Sequence, residues 1–134
     1  MVSKDFRQEE KRQGFRVIIA GTRYFNDYAV LCAVCDRLLA DKVKQGFQIV
    51  IVSGGCAGAD MLGEAYAKER GYQVKRYPAQ WERYGKKAGR IRNAEMANNA
   101  DALIAYWNGE SRGTRHMIET AREKGLAVRI HRYK

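Results

Sequence analysis

The chain has little of several things. No apolar run approaches the roughly 18–20 residues that a bilayer-crossing helix needs, so a helical membrane protein is excluded. The opening stretch, Met1 to Gly14, lacks the apolar centre of a secretory signal. Cysteine occurs 3 times in 134 residues, and an odd count leaves a thiol unpaired. That argues against a disulfide framework and for a reducing compartment; a cytoplasmic location is expected. Acidic residues are scarce too: 15 Asp and Glu against 25 Lys and Arg give a formal net charge of +10. An excess of this sign attracts phosphates, nucleotides, nucleic acid and acidic proteins alike, so it indicates anionic partners without naming one.

What is present is the profile of one folded unit, 46% hydrophobic and 30% charged. A chain of this size buries roughly 65–70% of its unfolded surface, enough to stand without staples or metals. Residues 1–14 read as a flexible charged leader and residues 15–134 as a single domain.

Short apolar runs alternate with longer amphipathic ones. Arg16 to Ala20, Ile49 to Val52, Tyr72 to Arg76, Ala102 to Tyr106 and Leu126 to Ile130 read as strands. Three of these are almost continuously apolar, as expected for parallel strands covered on both faces. Between them, Tyr28 to Lys44 sets Val30, Val34, Leu38 and Leu39 on one helical stripe, and Ala59 to Arg70 is a second amphipathic helix. Gly46, Gly71 and Gly125 follow helical patterns where C-caps belong. Two further helices are expected over about Gly89 to Asn99 and Thr114 to Lys124. The pattern predicts an α/β, Rossmann-like three-layer αβα domain with about five parallel strands in the order 3-2-1-4-5.

In such sheets ligands settle beyond the carboxyl ends of the strands. The loops there are Gly21-Thr22-Arg23, the run Ser53-Gly54-Gly55-Cys56-Ala57-Gly58-Ala59-Asp60, and Asn108-Gly109-Glu110-Ser111-Arg112-Gly113-Thr114. Each combines glycine with hydroxyls or arginine, and two lead into helices whose free N–H groups favour anions. Any one of them alone reads equally well as a tight strand-to-helix turn; three at one sheet edge outline a phosphate cradle. Neither the P-loop pattern nor the dinucleotide Gly-x-Gly-x-x-Gly occurs, which sets aside P-loop NTPases and standard NAD dehydrogenases.

The segment Arg83 to Arg92 holds Arg83, Lys86, Lys87, Arg90 and Arg92 with no acid, beside Trp81 and Tyr84. It reads as a phosphate clamp with a stacking aromatic, or as a solvated basic face. Arg92 falls at an expected helix start, where a cation is unfavourable unless an anion offsets the dipole. Cys32 and Cys35 form a Cys-x-x-Cys inside a helix with no second pair, so no metal site is expected. Cys56 reads as a loop-filling residue at a helix head, Asp60 as a dipole-favouring charge or a ribose ligand, and His116 and His131 as packing or surface residues.

Taken together, Gly21-Thr22-Arg23 with Phe25, Ser53-Gly54-Gly55-x-x-Gly58-Ala59-Asp60, Pro78-Ala79-x-Trp81, Gly85-Lys86-x-Ala88-Gly89-x-x-Arg92-Asn93-x-x-Met96 and Ser111-Arg112-Gly113-Thr114 resemble the SLOG superfamily, closest to its small bacterial and phage members near YspA and YpsA. The resemblance spans about Arg16 to Ile130. It implies a Rossmann-like fold that binds nucleotides or nucleotide-derived ligands, with relatives that act as sensors, nucleotide-processing enzymes or, in DprA, single-strand DNA binders. The LOG phosphoribohydrolases of the superfamily carry Arg-Lys-x-x-Met and Pro-Gly-Gly-x-Gly-Thr-x-x-Glu, with the arginine and final glutamate linked to cleavage. Here Arg92 and Met96 match, Asn93 replaces the lysine, and Met117 stands in place of the glutamate; Glu119 lies about 200° further round the helix.

The expected function is binding of a nucleotide or nucleotide-derived phosphate ligand, NAD- or ADP-ribose-like, by a sensor or ligand-binding domain that requires no cofactor. Its expected ligand residues are Gly21, Thr22, Arg23, Ser53, Gly54, Gly55, Gly58, Asp60, Trp81, Lys86, Arg92, Asn93, Ser111, Arg112, Gly113 and Thr114. One alternative is a hydrolase acting on an N-glycosidic or phosphate bond, with Arg92 and Glu110 as candidates. A second is single-stranded nucleic acid bound through the basic leader and along Trp81 to Arg92. No membrane partner is expected, and a homo-oligomer is compatible with a domain of this kind.

Overall fold

A computed structural model describes residues 14–134; the assigned leader falls, except for Gly14, outside the described residues. The elements run β1 (Gly14–Gly21), α1 (Tyr28–Lys44), β2 (Gln48–Ser53), α2 (Ala59–Arg70), β3 (Gln73–Arg76), α3 (Trp81–Tyr84), a 3₁₀ turn (Gly85–Lys87), α4 (Ala88–Asn98), β4 (Ala102–Trp107), α5 (Arg112–Glu123) and β5 (Ala127–Arg132). All neighbouring strands pair in parallel in the order β3-β2-β1-β4-β5, the expected topology. Gly14, assigned to the leader, opens β1 instead, pairing with Gln48 of β2.

Alternation along the strands divides the core in two. Val17, Ile19, Ile51, Ile104 and Tyr106 face α1 and α2. Their neighbours Ile18, Ala20, Val52, Leu103 and Ala105 face α4 and α5, where Met96, Ala97, Met117, Ile118 and Ala121 meet them. The stripe of α1 sits one residue from its expected line. Leu31, Cys35 and Leu39 are buried, while Val30, Val34 and Leu38 pack around the edge. Cys35 turns inward because its thiol lies 3.2 Å from the Tyr106 hydroxyl, which itself donates to the Leu31 carbonyl. The Cys-x-x-Cys pair is thus split between core and flank, with both thiols free.

At the amino end of the sheet Asp101, just before β4, accepts from the Arg16 backbone N–H at 2.9 Å and pairs with its guanidinium at 3.1 Å, locking β1 to β4. At the carboxyl end the same two strands send their chains to opposite faces, β1 into α1 and β4 into α5, which opens a crevice between the departing loops. Over that crevice lies the β3–β4 connection. The sequence pattern places one helix there; the fold adds the single turn α3 and the 3₁₀ turn, too short to show a periodicity. Among the described residues no helix is long and apolar enough to cross a membrane.

Leu103 is fully enclosed in the second core, and Val43 on α1 is 47% exposed. Leu103→Ala is expected to cost about 2–5 kcal/mol in urea unfolding, and Val43→Ala less than about 0.5 kcal/mol. Equal losses would contradict a core built on both faces of the sheet.

Candidate functional site

The crevice holds a cavity of about 260 Å³. Gly21 and Arg23 enter it from the end of β1, Cys56 and Asp60 from the β2–α2 turn, and Trp81 and Lys86 from the β3–β4 connection. From α4 come Gly89, Arg90, Arg92, Asn93 and Met96; from α5 and its lead-in come Ser111 to Thr114, His116 and Met117. Arg23, Lys86, Arg90, Arg92 and Arg112 therefore surround one space whose wall carries, among the described residues, a single carboxylate, Asp60. Cations crowded in this way raise the local potential and concentrate anions.

Arg92 is the best anchored of these. α4 starts at Ala88, so Arg92 stands on its second turn rather than at the helix start, and the unfavourable dipole position falls away. The side chain crosses to the ends of two strands. Its Nη1 donates to the Gly54 carbonyl at 2.8 Å and to the Tyr77 carbonyl at 3.4 Å, and its Nε donates to Asn93 Oδ1 at 3.0 Å. Among the described residues Nη2 has only the Cys56 sulfur, at 3.9 Å. Among the described residues no carboxylate pairs with it. Neutral acceptors hold the guanidinium in place without cancelling its charge, and Nη2 keeps donor capacity toward the cavity.

Asp60 sits across from it. The residue is only 6% exposed, and its Oδ2 accepts from the Cys56 backbone N–H at 3.2 Å. Gly54 separates the two side chains: a Cβ there would come within 2.6 Å of Arg92 Nη1 and 2.9 Å of Asp60 Oδ2. Burial pushes the Asp60 carboxyl up to about 6, against the pull of the Cys56 N–H and then of Arg92.

Several sequence-expected residues lie outside the cavity wall, each with an internal role. Thr22 Oγ1 accepts from the Asn108 backbone N–H at 3.3 Å, tying the β1 and β4 loops together. Ser53 is fully buried; its hydroxyl donates to Glu64 at 2.7 Å and accepts from the Gly55 N–H at 3.1 Å. Glu64 also takes the Arg76 guanidinium, a structural pairing that the sequence pattern missed because its members come from three elements. Gly58 has φ +83°, and a Cβ there would collide with the Thr22 and Arg23 carbonyls, so loop crossing rather than ligand approach demands glycine. Gly55 stands against the Arg76 side chain. Glu110 is exposed, its N–H donating to Asn108 Oδ1 at 2.9 Å, and it does not reach the cavity.

The head of α5 does reach it. The helix begins at Arg112, two residues before its expected start, because Ser111 caps it: Ser111 Oγ accepts from the Thr114 N–H at 3.3 Å. Trp107 Nε1 donates to the Ser111 carbonyl at 3.1 Å and pins the turn. The first N–H groups of a helix have no partner within it, and Arg112 and Gly113, which carry two of them, line the cavity.

His116 is the principal residue that sequence reasoning missed. It is half-buried on the cavity wall, with Nδ1 3.1 Å from Asn93 Nδ2 and Nε2 3.4 Å from Thr120 Oγ1. Burial and then Arg90 hold its imidazole below the ordinary range. Its partner is 23 residues away on another helix, so no local pattern announced it. Met117 also lines the cavity at 2% exposure, in the place where the resemblance expected a glutamate, and Glu119 points to solvent.

The raised Asp60 carboxyl has a consequence for stability. The folded protein holds a proton that the unfolded chain, with a carboxyl near 3.8, has already released. Stability from this group therefore falls as pH rises from about 4 to about 6 and is level above that. Asp60→Asn keeps an acceptor for the Cys56 N–H and removes the charge. Its unfolding free energy relative to the parent is expected to climb by about 1–3 kcal/mol across that window in urea titrations. Parallel pH profiles would show that the carboxyl is not desolvated.

The profile of the YAcAr family, described as the YspA, cpYpsA-related SLOG family, matches residues 15–84. The Gene 61 protein of Mycobacterium phage D29 is 36% identical over 119 residues, covering 84% of this chain and 93% of that protein. Among solved structures, TM1055 superposes with a TM-score of 0.59 at 21% identity, over 87% of this chain and 72% of that one. DNA processing protein A from Streptococcus pneumoniae superposes with a TM-score of 0.60 at 19% identity, over 88% of this chain; this chain spans 50% of its length. At those identities the two structures share the fold. The profile match and the phage relative carry the assignment further: this chain belongs to the YspA, cpYpsA-related SLOG family.

Proposed function

We propose that the crevice between β1 and β4 binds a phosphate-bearing ligand of the nucleotide type, and that the protein works as a ligand-binding domain. The observation that carries this reading is the imbalance among the described residues around one cavity: Arg23, Lys86, Arg90, Arg92 and Arg112 against Asp60, with Arg92 held by neutral acceptors. The free N–H groups at the head of α5 suit a phosphate. Trp81, 54% exposed on the rim, offers a face for a base, and Asp60 accepts from a sugar hydroxyl or an amine.

Turnover is the alternative within the same cavity. Its carboxylate is then Asp60 rather than Glu110, since Asp60 lines the wall beside Arg92 and Glu110 does not. The exposure of Arg83, Lys86, Lys87 and Arg90 next to Trp81 supports a third reading, single-stranded nucleic acid tracked by cations and stacked on an aromatic.

Thermal-shift measurements against nucleoside monophosphates, NAD, ADP-ribose and plain phosphate separate these readings. A ligand at a hundred times its dissociation constant is expected to stabilise by about 2.7 kcal/mol, and Arg92→Ala to abolish the shift. Chromatography of the same mixtures for free base reports turnover. No shift with any compound, together with salt-dependent binding of single-stranded DNA or RNA, would replace the small-ligand reading with the third.

A further inference from the structure

Three side chains on α4 and α5 form a continuous chain of hydrogen bonds that ends on the cavity's best-anchored cation. Arg92 Nε can only donate, so the Asn93 atom 3.0 Å from it is the acceptor Oδ1. The other end of that amide, Nδ2, then faces His116 Nδ1 at 3.1 Å as a donor. Nδ1 must accept, which places the ring proton on Nε2, directed at Thr120 Oγ1 at 3.4 Å. Asn93 is only 7% exposed, so water does not readily substitute for either of its partners.

We propose that His116 is a positioning residue for Arg92: its neutral, Nε2-protonated ring fixes the Asn93 amide, and the amide fixes the guanidinium that faces the ligand cavity. Protonation at Nδ1 sets two donors against each other. The amide must then turn over, presenting Nδ2 to Arg92 Nε, and that bond is lost. The surroundings keep the ring neutral. Burial disfavours the cation, as does Arg90 from α4, while Glu119 and Glu123 of its own helix favour it. Asp60, Arg92 and Arg112 share the cavity wall with it.

The first measurement needs no ligand. The Arg92 Nε–H resonance in ¹⁵N–¹H spectra reports whether its hydrogen bond is made, and the ring protons of His116 report its charge. Working in Asp60→Asn protein removes the titration of that neighbour. The Nε–H resonance is expected at a hydrogen-bonded, downfield position at pH 7.5 and to move toward that of a free guanidinium as His116 titrates. In His116→Ala it is expected at the unbonded position at every pH. In His116→Asn, whose Oδ1 takes the place of Nδ1 and does not gain a proton, it is expected to keep the hydrogen-bonded position through the same pH range. A signal that ignores His116→Ala, or that shows the parent's pH response in His116→Asn, overturns the proposal.

The second measurement rests on the reading of the cavity as an anion site. With inorganic pyrophosphate as probe at pH 7.5, His116→Ala is expected to weaken binding by about three- to ten-fold, the scale of one net hydrogen bond, and His116→Asn to recover most of it. Both effects are expected to disappear in an Asn93→Ala background. A His116→Ala loss that survives there indicates direct ligand contact and overturns the positioning role. Absence of pyrophosphate binding in the parent, with the Nε–H response intact, defeats the anion-site reading and leaves the positioning role standing.

Discussion

Arg92 divides its hydrogen bonds between the carbonyls of Gly54 and Tyr77 and the amide of Asn93, and the carboxyl end of the sheet is organised around that division. A half-buried guanidinium is costly to desolvate, and a carboxylate partner would be the simplest compensation. Here strand-end carbonyls supply it, so the β2 and β3 loops are fastened to α4 while the charge stays uncancelled. Gly54 follows from the same constraint, because any side chain would occupy the space between Arg92 and Asp60.

The glycine-rich loops have a corresponding explanation. Gly58 is required where the β2–α2 turn passes over the Thr22 and Arg23 carbonyls, and Thr22 binds the loop after β4. These residues build the walls of the crevice by holding backbone against backbone. The groups that line its interior are a different set, long cations and a helix head, and they reach it from four separate segments of the chain.

Much of this was legible beforehand. Near-continuous apolar strands such as Ala102 to Tyr106 announce coverage on both faces, and right-handed crossovers then leave few topologies. The loops after β1, β2 and β4 were identifiable from glycine and arginine at strand ends. Less accessible were features set by neighbours distant in sequence. Cys35 replaces Val34 on the buried line of α1 because Tyr106, 71 residues away, offers its hydroxyl. Ser53 donates to the Glu64 that also holds Arg76, and His116 reaches the cavity wall beside Asn93 from another helix.

By itself, then, the sequence determined the class of fold, the strand order, the excess of positive charge and the edge of the sheet where the glycine-rich loops gather, since periodicity, turn residues and net charge are local or additive properties. The tertiary structure decided which charges remain unpaired, which carboxyl is driven out of water, and in which histidine burial disfavours the charged form. Those outcomes depend on distances of a few ångströms between side chains on different elements. No spacing along the chain encodes them.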